Sequence, residues 1–321
     1  MSEFPLDQVR TLLAVVDEGT FEAAAAALHV TPSAISQRVK ALEQRVGRVL
    51  LIRSKPAQPT ESGQVLVRLA RQIAALDEQT QAELGIAPGP GGVRLSIAVN
   101  ADSLATWFLP ALMRLPREEQ VCFELHREDE GHTAALLREG RVMAAVTSSP
   151  EPVAGCTVRP LGHARYVPAA SPAFVERHLS AGPLKRCLAE APVVAFDHRD
   201  QLQDRFVRAV TGGTAGASGI RHLVPTSEGF RDAVAAGFGW GMVPESQAAP
   251  LLSSGALTKL AAARHVDVPL YWQQWKLDVP ALARVAAAVA AEAADSLHRG
   301  KGEPSLRGRP FVQDHAQGES D

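Results

Sequence analysis

Cysteine is scarce. The 321 residues hold three, Cys122, Cys156 and Cys187, far apart and without a CxxC pair or a histidine at metal-ligand spacing. A disulfide framework and a structural zinc site are thereby excluded, and three structural thiols in a reducing compartment are expected. Net charge is also nearly absent, at -2, so the molecule as a whole does not attract nucleic acid and any such activity needs a locally basic surface. No basic-then-apolar run opens the chain, since Glu3, Asp7 and Arg10 already interrupt the first ten residues. Neither a signal peptide nor a spanning helix is expected, and the chain is placed in the cytoplasm with no membrane partner. Missing, too, are GxSxG, a Walker loop, HExxH and a dinucleotide fingerprint; the glycines of GFGWG (Gly237 to Gly241) have the wrong spacing for a phosphate loop. The chain is therefore not expected to be an enzyme, and no metal or cofactor is expected. An enzymatic alternative would put Ser103 or His198 in a catalytic role. At 46% apolar and 21% charged residues, the length predicts two or three soluble domains.

The first sixty residues read as three short helices and a hairpin. Leu6, Val9, Leu13 and Val16 recur at helical spacing up to Gly19; Thr20 caps a second helix, Phe21 to Leu28; Thr31 before Pro32 starts a third, with Ile35, Val39, Leu42 and Val46 inward and Gly47 at its end. That inward face leaves Ser33, Ser36, Gln37, Arg38 and Lys40 outside, while small Ala34 allows close approach. Such a helix fits a major groove, where Gln and Arg reach base edges and Ser reaches bases or phosphates. Val49 to Arg53 predicts a strand, and Pro56 and Pro59 a wing that sets Arg53 and Lys55 beside the duplex backbone. From Ser33 to Gln72 there are eight Lys or Arg (Arg38, Lys40, Arg45, Arg48, Arg53, Lys55, Arg68, Arg71) against Glu43 and Glu61, a local surplus of six positive charges. A three-helix bundle with a solvated charged face is the alternative that spacing leaves open.

The run FEAAAAALHVTPSAISQRVKALEQRVGRVLLIRSKPAQPTESG, Phe21 to Gly63, resembles the N-terminal domain of LysR-type transcriptional regulators from the second helix through the wing. The resemblance implies double-stranded promoter DNA as partner. It makes Pro32 to Gly47 the recognition helix, with base or phosphate contacts from Ser33, Ser36, Gln37 and Arg38 and a backbone contact from Arg53 in the wing; Thr31, Pro32, Ala34 and Lys40 complete the expected DNA contacts.

Thr60 begins a long helix reaching about Leu84, in which Leu66, Leu69, Ile73 and Leu76 fall in the a/d pattern of a coiled coil. Packing against its own domain is the alternative; the resemblance implies a dimerising linker, two dimers joining as a homotetramer, and RNA polymerase as a further partner. Ile86 to Gly92 holds five Gly or Pro in seven residues and marks the hinge. Next come a strand at Val93 to Val99, a turn at Asn100 to Ser103, and a helix at Leu104 to Leu115. That turn and helix start predict a carboxylate site assisted by Ser103 and Thr106, unless Asp102 and Ser103 merely cap the helix. Strands and helices alternate onward to Pro244, an open α/β pattern whose ligands sit beyond the strand ends. Glu128, Asp129, Glu130, Thr147, Asp197 and Glu228 lie at such ends, a set that suits a ligand carrying both a carboxylate and a cation.

VNADSLATWFLPAL (99–112), REDEGHTAALLREG (127–140), APVVAFDHRD (191–200), PTSEGF (225–230), GFGWGMVPE (237–245) and PLYWQQWKLD (269–278) are similar to the LysG/ArgP branch of that family, the regulators of basic amino-acid export. The resemblance covers about residues 4 to 298. It implies a winged helix-turn-helix at 1–59, a linker helix and hinge at 60–91, and a two-lobed type 2 periplasmic-binding-protein-like effector domain at 92–298. Lobe I takes 92–163 and 268–298, lobe II 164–267, and 299–321 is a disordered tail. Lysine or arginine is the implied small-molecule effector and an exporter gene the implied target; a different effector is the alternative. Asn100, Ser103 and Thr106 are expected on the amino-acid backbone, and Asp129, Glu130 or Asp197 on the cationic side chain. Thr147, Phe196, Glu228 and Trp107 complete the expected site. Trp107, Trp272 and Trp275 either line the cleft or fill the core, the commoner fate of large aromatics. Met143 stands where an acidic residue is common in the wider family.

Overall fold

The computed structural model describes residues 4–84, 93–116, 121–128, 133–213 and 215–299. Asp129, Glu130, the expected hinge at 86–92 and all but the first residue of the expected tail lie outside them. Two compact units are present: Met1–Ala98 with Pro116–Val158 and Trp272–Arg284, and Val99–Leu115 with Arg159–Tyr271 and Val285–Asp321.

In the first unit, α1 (Leu6–Glu18), α2 (Phe21–Ala27) and α3 (Pro32–Val46) end where the punctuation says. Gly19 and Gly47 take left-handed conformations, at φ 74 and 73, that suit glycine as a helix terminator. The Thr20 and Thr31 hydroxyls accept from the N–H of Ala23 and Ala34, each satisfying one orphan donor of a first turn. Val9, Leu12, Val15, Ile35, Val39 and Leu42 form the core. The buried stripe of α1 thus differs from the expected one: Leu12 replaces Leu13 at the centre, and Leu6 is 51% exposed. The reason is that α1 has apolar residues on two adjoining faces, and the face holding Leu12 and Val15 enters the common core with Ile35, Val39 and Leu42, while Leu13 and Val16 pack at its margin.

Strands β1 (Leu51–Ile52) and β2 (Gln58–Pro59) pair antiparallel as the wing. The strand is shorter than Val49 to Arg53 because Leu50 is engaged elsewhere. Its N–H donates to Glu43 Oε1 at 2.9 Å and its carbonyl accepts from Thr60 N–H at 2.9 Å. Helix α4 (Glu61–Glu83) follows, with Thr60 accepting from Gly63 N–H. Leu66, Val67 and Ala70 are buried in the winged-helix core, with Leu69 packed against it, while Leu76 is exposed. The first half of the expected seam therefore packs against its own domain.

The chain continues through β3 (Val93–Val99), α5 (Ala101–Ser103), a π-helical turn at Leu104–Phe108, α6 (Leu109–Leu112), β4 (Val121–Arg127), α7 (Thr133–Arg138), β5 (Ala144–Thr147) and β6 (Cys156–Ala170). After α8 (Pro172–Phe174) and a second π-helical turn, Val175–Leu179, come α9 (Leu184–Glu190), β7 (Val193–Ala195), α10 (Leu202–Thr211) and β8 (Arg221–Leu223). The described chain closes with α11 (Ser227–Ala235), β9 (Gly241–Pro244), α12 (Glu245–Ser253), β10 (Thr258–Lys259), β11 (Val266–Trp275) and α13 (Pro280–Ser296). Within the first unit β3 and β5 are parallel, Ile97 opposite Ala144. Within the second, β6 carries β9 and β10 antiparallel, and β7 and β8 pair in parallel. The longest strand, β6, has no counterpart among the expected elements, because Pro160, Gly162 and Pro168 mask it and its burial does not alternate. The helix after β3 begins at Ala101, not Leu104, and is over by Leu112. Trp107, Trp272 and Trp275 are all interior, at 4%, 1% and 2% exposure. No helix among the described residues is long and apolar enough to cross a membrane.

Candidate DNA-binding surface and effector site

Burial of Ile35, Val39 and Leu42 fixes the rotation of α3 and therefore its outer face. Pro32, Ser33, Ser36, Gln37 and Lys40 are exposed there, with Ala34 and Arg38 half-buried. Thr31 is exposed, but its hydroxyl oxygen already caps the helix. Arg38 Nε lies 3.6 Å from Asp7 Oδ2, a loose pair that a phosphate can displace. Arg53 is exposed on the wing with its guanidinium carbon 5.8 Å from the centre of the Phe21 ring, which orients the cation against α2.

At least three of the eight counted cations are engaged within the fold, Arg48 Nη1 donating to Ser62 Oγ at 3.3 Å. Arg68 Nη1 donates to the Ala154 carbonyl at 3.1 Å, and Arg71 pairs with Asp17. The basic surplus of the segment is therefore not all offered to a duplex.

In the second unit, the residues beyond β3 carry a feature that spacing did not disclose. Asp102, the second residue of α5, is half-buried, and its Oδ2 accepts the Tyr166 hydroxyl at 2.7 Å. Its Oδ1 accepts the Ser227 hydroxyl at 2.5 Å, and Gln247 Nε2 donates to that serine at 3.0 Å. Tyr166 stands on β6 and Ser227 opens α11, so two elements reach the carboxylate directly, and Gln247 on α12 reaches it through Ser227. Gln247 Oε1 is itself buried with no hydrogen-bond partner among the described residues. Burial pushes the Asp102 carboxyl above the ordinary carboxylate range; the Ser227 and Tyr166 hydroxyls pull the other way, and the negative charges of Asp200 and Glu228 add to the rise. The two donors are neutral and the two charged neighbours negative. An arriving cation relieves desolvation and repulsion together.

Of the expected effector residues, Asn100, Ser103, Thr106, Trp107, Phe196, Asp197 and Glu228 belong to this unit and Thr147 to the other. Ser103 and Glu228 each adjoin a member of the Asp102 network. Thr106 donates to the Asp102 carbonyl at 2.6 Å, so its proton is committed to the helix while its oxygen stays an acceptor. Asp197 Oδ1 accepts the N–H groups of Arg199 and Asp200, a turn-forming role that holds Asp200 in place. Asp200 in turn accepts from the N–H of Phe196 and Leu202 and from Gln203 Nε2. Thr147 Oγ1 accepts from Ser149 N–H at 3.2 Å. Tyr166 and Gln247 went unnoticed in the sequence because nothing local marks them. Ser227 lies inside the PTSEGF motif with no role expected of it, and Asp102 is expected only as an alternative helix cap.

The two halves define a class of protein. Residues 6–64 match the bacterial regulatory helix-turn-helix proteins of the lysR family, and residues 89–294 match the LysR substrate binding domain. The chain belongs to the LysR family of bacterial transcriptional regulators. It is similar to the lysine export transcriptional regulatory protein LysG of Corynebacterium glutamicum, at 44% identity over 292 residues, 90% of this chain and 98% of that protein. Its structure is similar to that of ArgP from Mycobacterium tuberculosis, with TM-score 0.84 and 48% identity, covering 91% of this chain and 98% of that one. It is similar also to full-length Corynebacterium glutamicum LysG with bound effector Arg, with TM-score 0.78 and 42% identity over 92% of this chain and 99% of that one.

Proposed function

We propose that this chain is a cytoplasmic regulator that binds lysine or arginine and, in response, changes transcription of an amino-acid exporter gene. The observation that carries the reading is the arginine held by a LysG 42% identical over 92% of this chain. The half-buried Asp102 carboxyl, whose described side-chain donors are two neutral hydroxyls, supports it, because such a group favours a ligand with a protonated nitrogen. Asp102, Tyr166, Ser227 and Gln247 join Asn100, Ser103, Thr106, Phe196, Asp197, Glu228 and Thr147 as the effector residues of this proposal. Pro32, Ser33, Ala34, Ser36, Gln37, Arg38, Lys40 and Arg53, with Thr31 as cap, form the DNA contacts. The chain divides at about residues 59, 91 and 298, in line with the resemblance drawn above. The exposed Val65 and Leu76 of α4 serve a homodimer, which doubles to a tetramer on paired half-sites and works with RNA polymerase. Effector acts through unequal affinity for two shapes of the assembly.

Calorimetry of the full chain with arginine, lysine, citrulline and norleucine tests this. Binding of arginine or lysine, with citrulline and norleucine at least about tenfold weaker, a difference of about 1.4 kcal/mol, is expected. Equal binding of all four, or of none, overturns it.

A further inference from the structure

Arg68 and Arg71 stand on one face of α4, three residues apart, and both reach out of the winged-helix domain. The two side chains of this face land on the backbone at the end of α7 and on the approach to β6. Arg71 uses its planar fork in two directions: Nη2 pairs with Asp17 Oδ1 of α1 at 2.5 Å, and Nη1 reaches the Glu139 carbonyl at 3.4 Å. Arg68 Nη1 donates to the Ala154 carbonyl at 3.1 Å.

The receiving surface is shaped for this contact. Helix α7 closes with Arg141 N–H on the Leu136 carbonyl and Gly140 N–H on the Leu137 carbonyl, a paired ending that leaves the Glu139 carbonyl for an outside donor. Gly140 supplies the left-handed residue, at φ 72. It also supplies room, since a Cβ there would stand 2.8 Å from the Arg68 Cα. One glycine thus terminates α7 and lets α4 approach. The chain then runs directly into β5, whose last residue, Thr147, is among the effector residues proposed above.

We propose that Arg71, with Arg68 seated on Gly140, is a latch joining the first helix of the DNA-binding domain and the linker helix to the effector-binding half, so that effector binding reaches the operator through it. Arg71 is a positioning residue; it touches neither DNA nor effector. A lysine could keep the Asp17 pair but has a single nitrogen in place of the separate Nη1 and Nη2 of the guanidinium fork. The ion pair between Arg10 and Asp77, at 3.0 Å, also ties α1 to α4 and serves as the control.

The proposal rests on the effector reading above, and the experiment separates the two. Operator is first selected from random duplexes with the full chain, and its affinity is measured by fluorescence anisotropy with and without arginine. Wild type is expected to show a ratio of about fivefold or more. In Arg71→Ala and in Gly140→Ala the ratio falls to near one, while calorimetric arginine affinity stays within about twofold of wild type. Arg10→Ala keeps the wild-type ratio. An unchanged ratio in Arg71→Ala, or an equal loss in Arg10→Ala, overturns the latch and leaves the effector reading intact. If wild type ignores arginine and lysine, the effector reading fails. The latch is then judged by hydrogen exchange: amides of residues 135–142 exchange faster in Arg71→Ala than in wild type and Arg10→Ala, and equal exchange in all three overturns it.

Discussion

The outer face of α3 and the Asp102 network illustrate two ways of building a binding surface. The first is a by-product of one short helix: once Ile35, Val39 and Leu42 turn inward, Ser33, Ser36, Gln37 and Lys40 have nowhere else to point. The second gathers a carboxylate, a phenol 64 residues away and a hydroxyl 125 residues away into one network. The comparison teaches that local periodicity orients a surface but does not bring distant polar groups into contact. A half-buried charge without a cation is tolerated only where folding has already fixed its neighbours, so its identity as a site appears late.

That contrast can be broken in order of effect. The largest change is expected from Ile35→Ala, which removes the central side chain of the winged-helix core at a cost of about 2–5 kcal/mol. Promoter binding disappears while arginine binding survives; loss of both in parallel calorimetric and anisotropy titrations would show that the two regions do not fold independently. Next, Gln37→Ala with Arg38→Ala should weaken operator binding by about a hundredfold or more, since each base-edge contact is worth about 1–3 kcal/mol. Arginine affinity does not change, and retained operator affinity at moderate ionic strength would remove α3 as the reading helix. Third, Asp102→Asn should lower arginine affinity by about tenfold or more, on the scale of about 1.5–3 kcal/mol for a charged hydrogen bond. Operator affinity without effector stays as it was; calorimetry that finds arginine affinity unaltered would detach Asp102 from the site.

The smallest effect concerns pH. The folded-state pKa of Asp102 is raised above the ordinary 3.8, so the folded chain holds that proton more tightly than the unfolded one. Its cost to stability is absent below pH 3.8 and grows as pH rises through the folded value. Asp102→Asn without effector should therefore melt slightly higher than wild type near neutrality, with the gap closing as pH falls. A gap that stays constant across a pH series of thermal melts contradicts the burial argument.

Much of the winged helix was legible in the residues. Gly19, Thr20, Thr31 and Gly47 act within one turn of where they stand, and each ends or starts a helix as its chemistry dictates. The choice of Leu12 over Leu13 was not legible, because it depends on which face of α1 the rest of the domain covers. Nor was the engagement of Arg68 and Arg71: in a charge count they look like any other cation, and only the carbonyls of Ala154 and Glu139 and the carboxylate of Asp17 set them apart. The same holds for Thr106, whose hydroxyl proton goes to its own helix.

Sequence alone determined the order of domains, the helix boundaries near the N-terminus and the outward row on α3, since these follow from hydrogen bonds and apolar spacing within a few residues. Only tertiary structure decided that Asp102 meets Tyr166 and Ser227, that Trp107, Trp272 and Trp275 are core, and that two arginines of the linker helix face backbone carbonyls instead of phosphate. The physical reason is range: a cap or a helical stripe is settled over one to a few turns, whereas desolvation of a charge depends on every segment that folding brings around it.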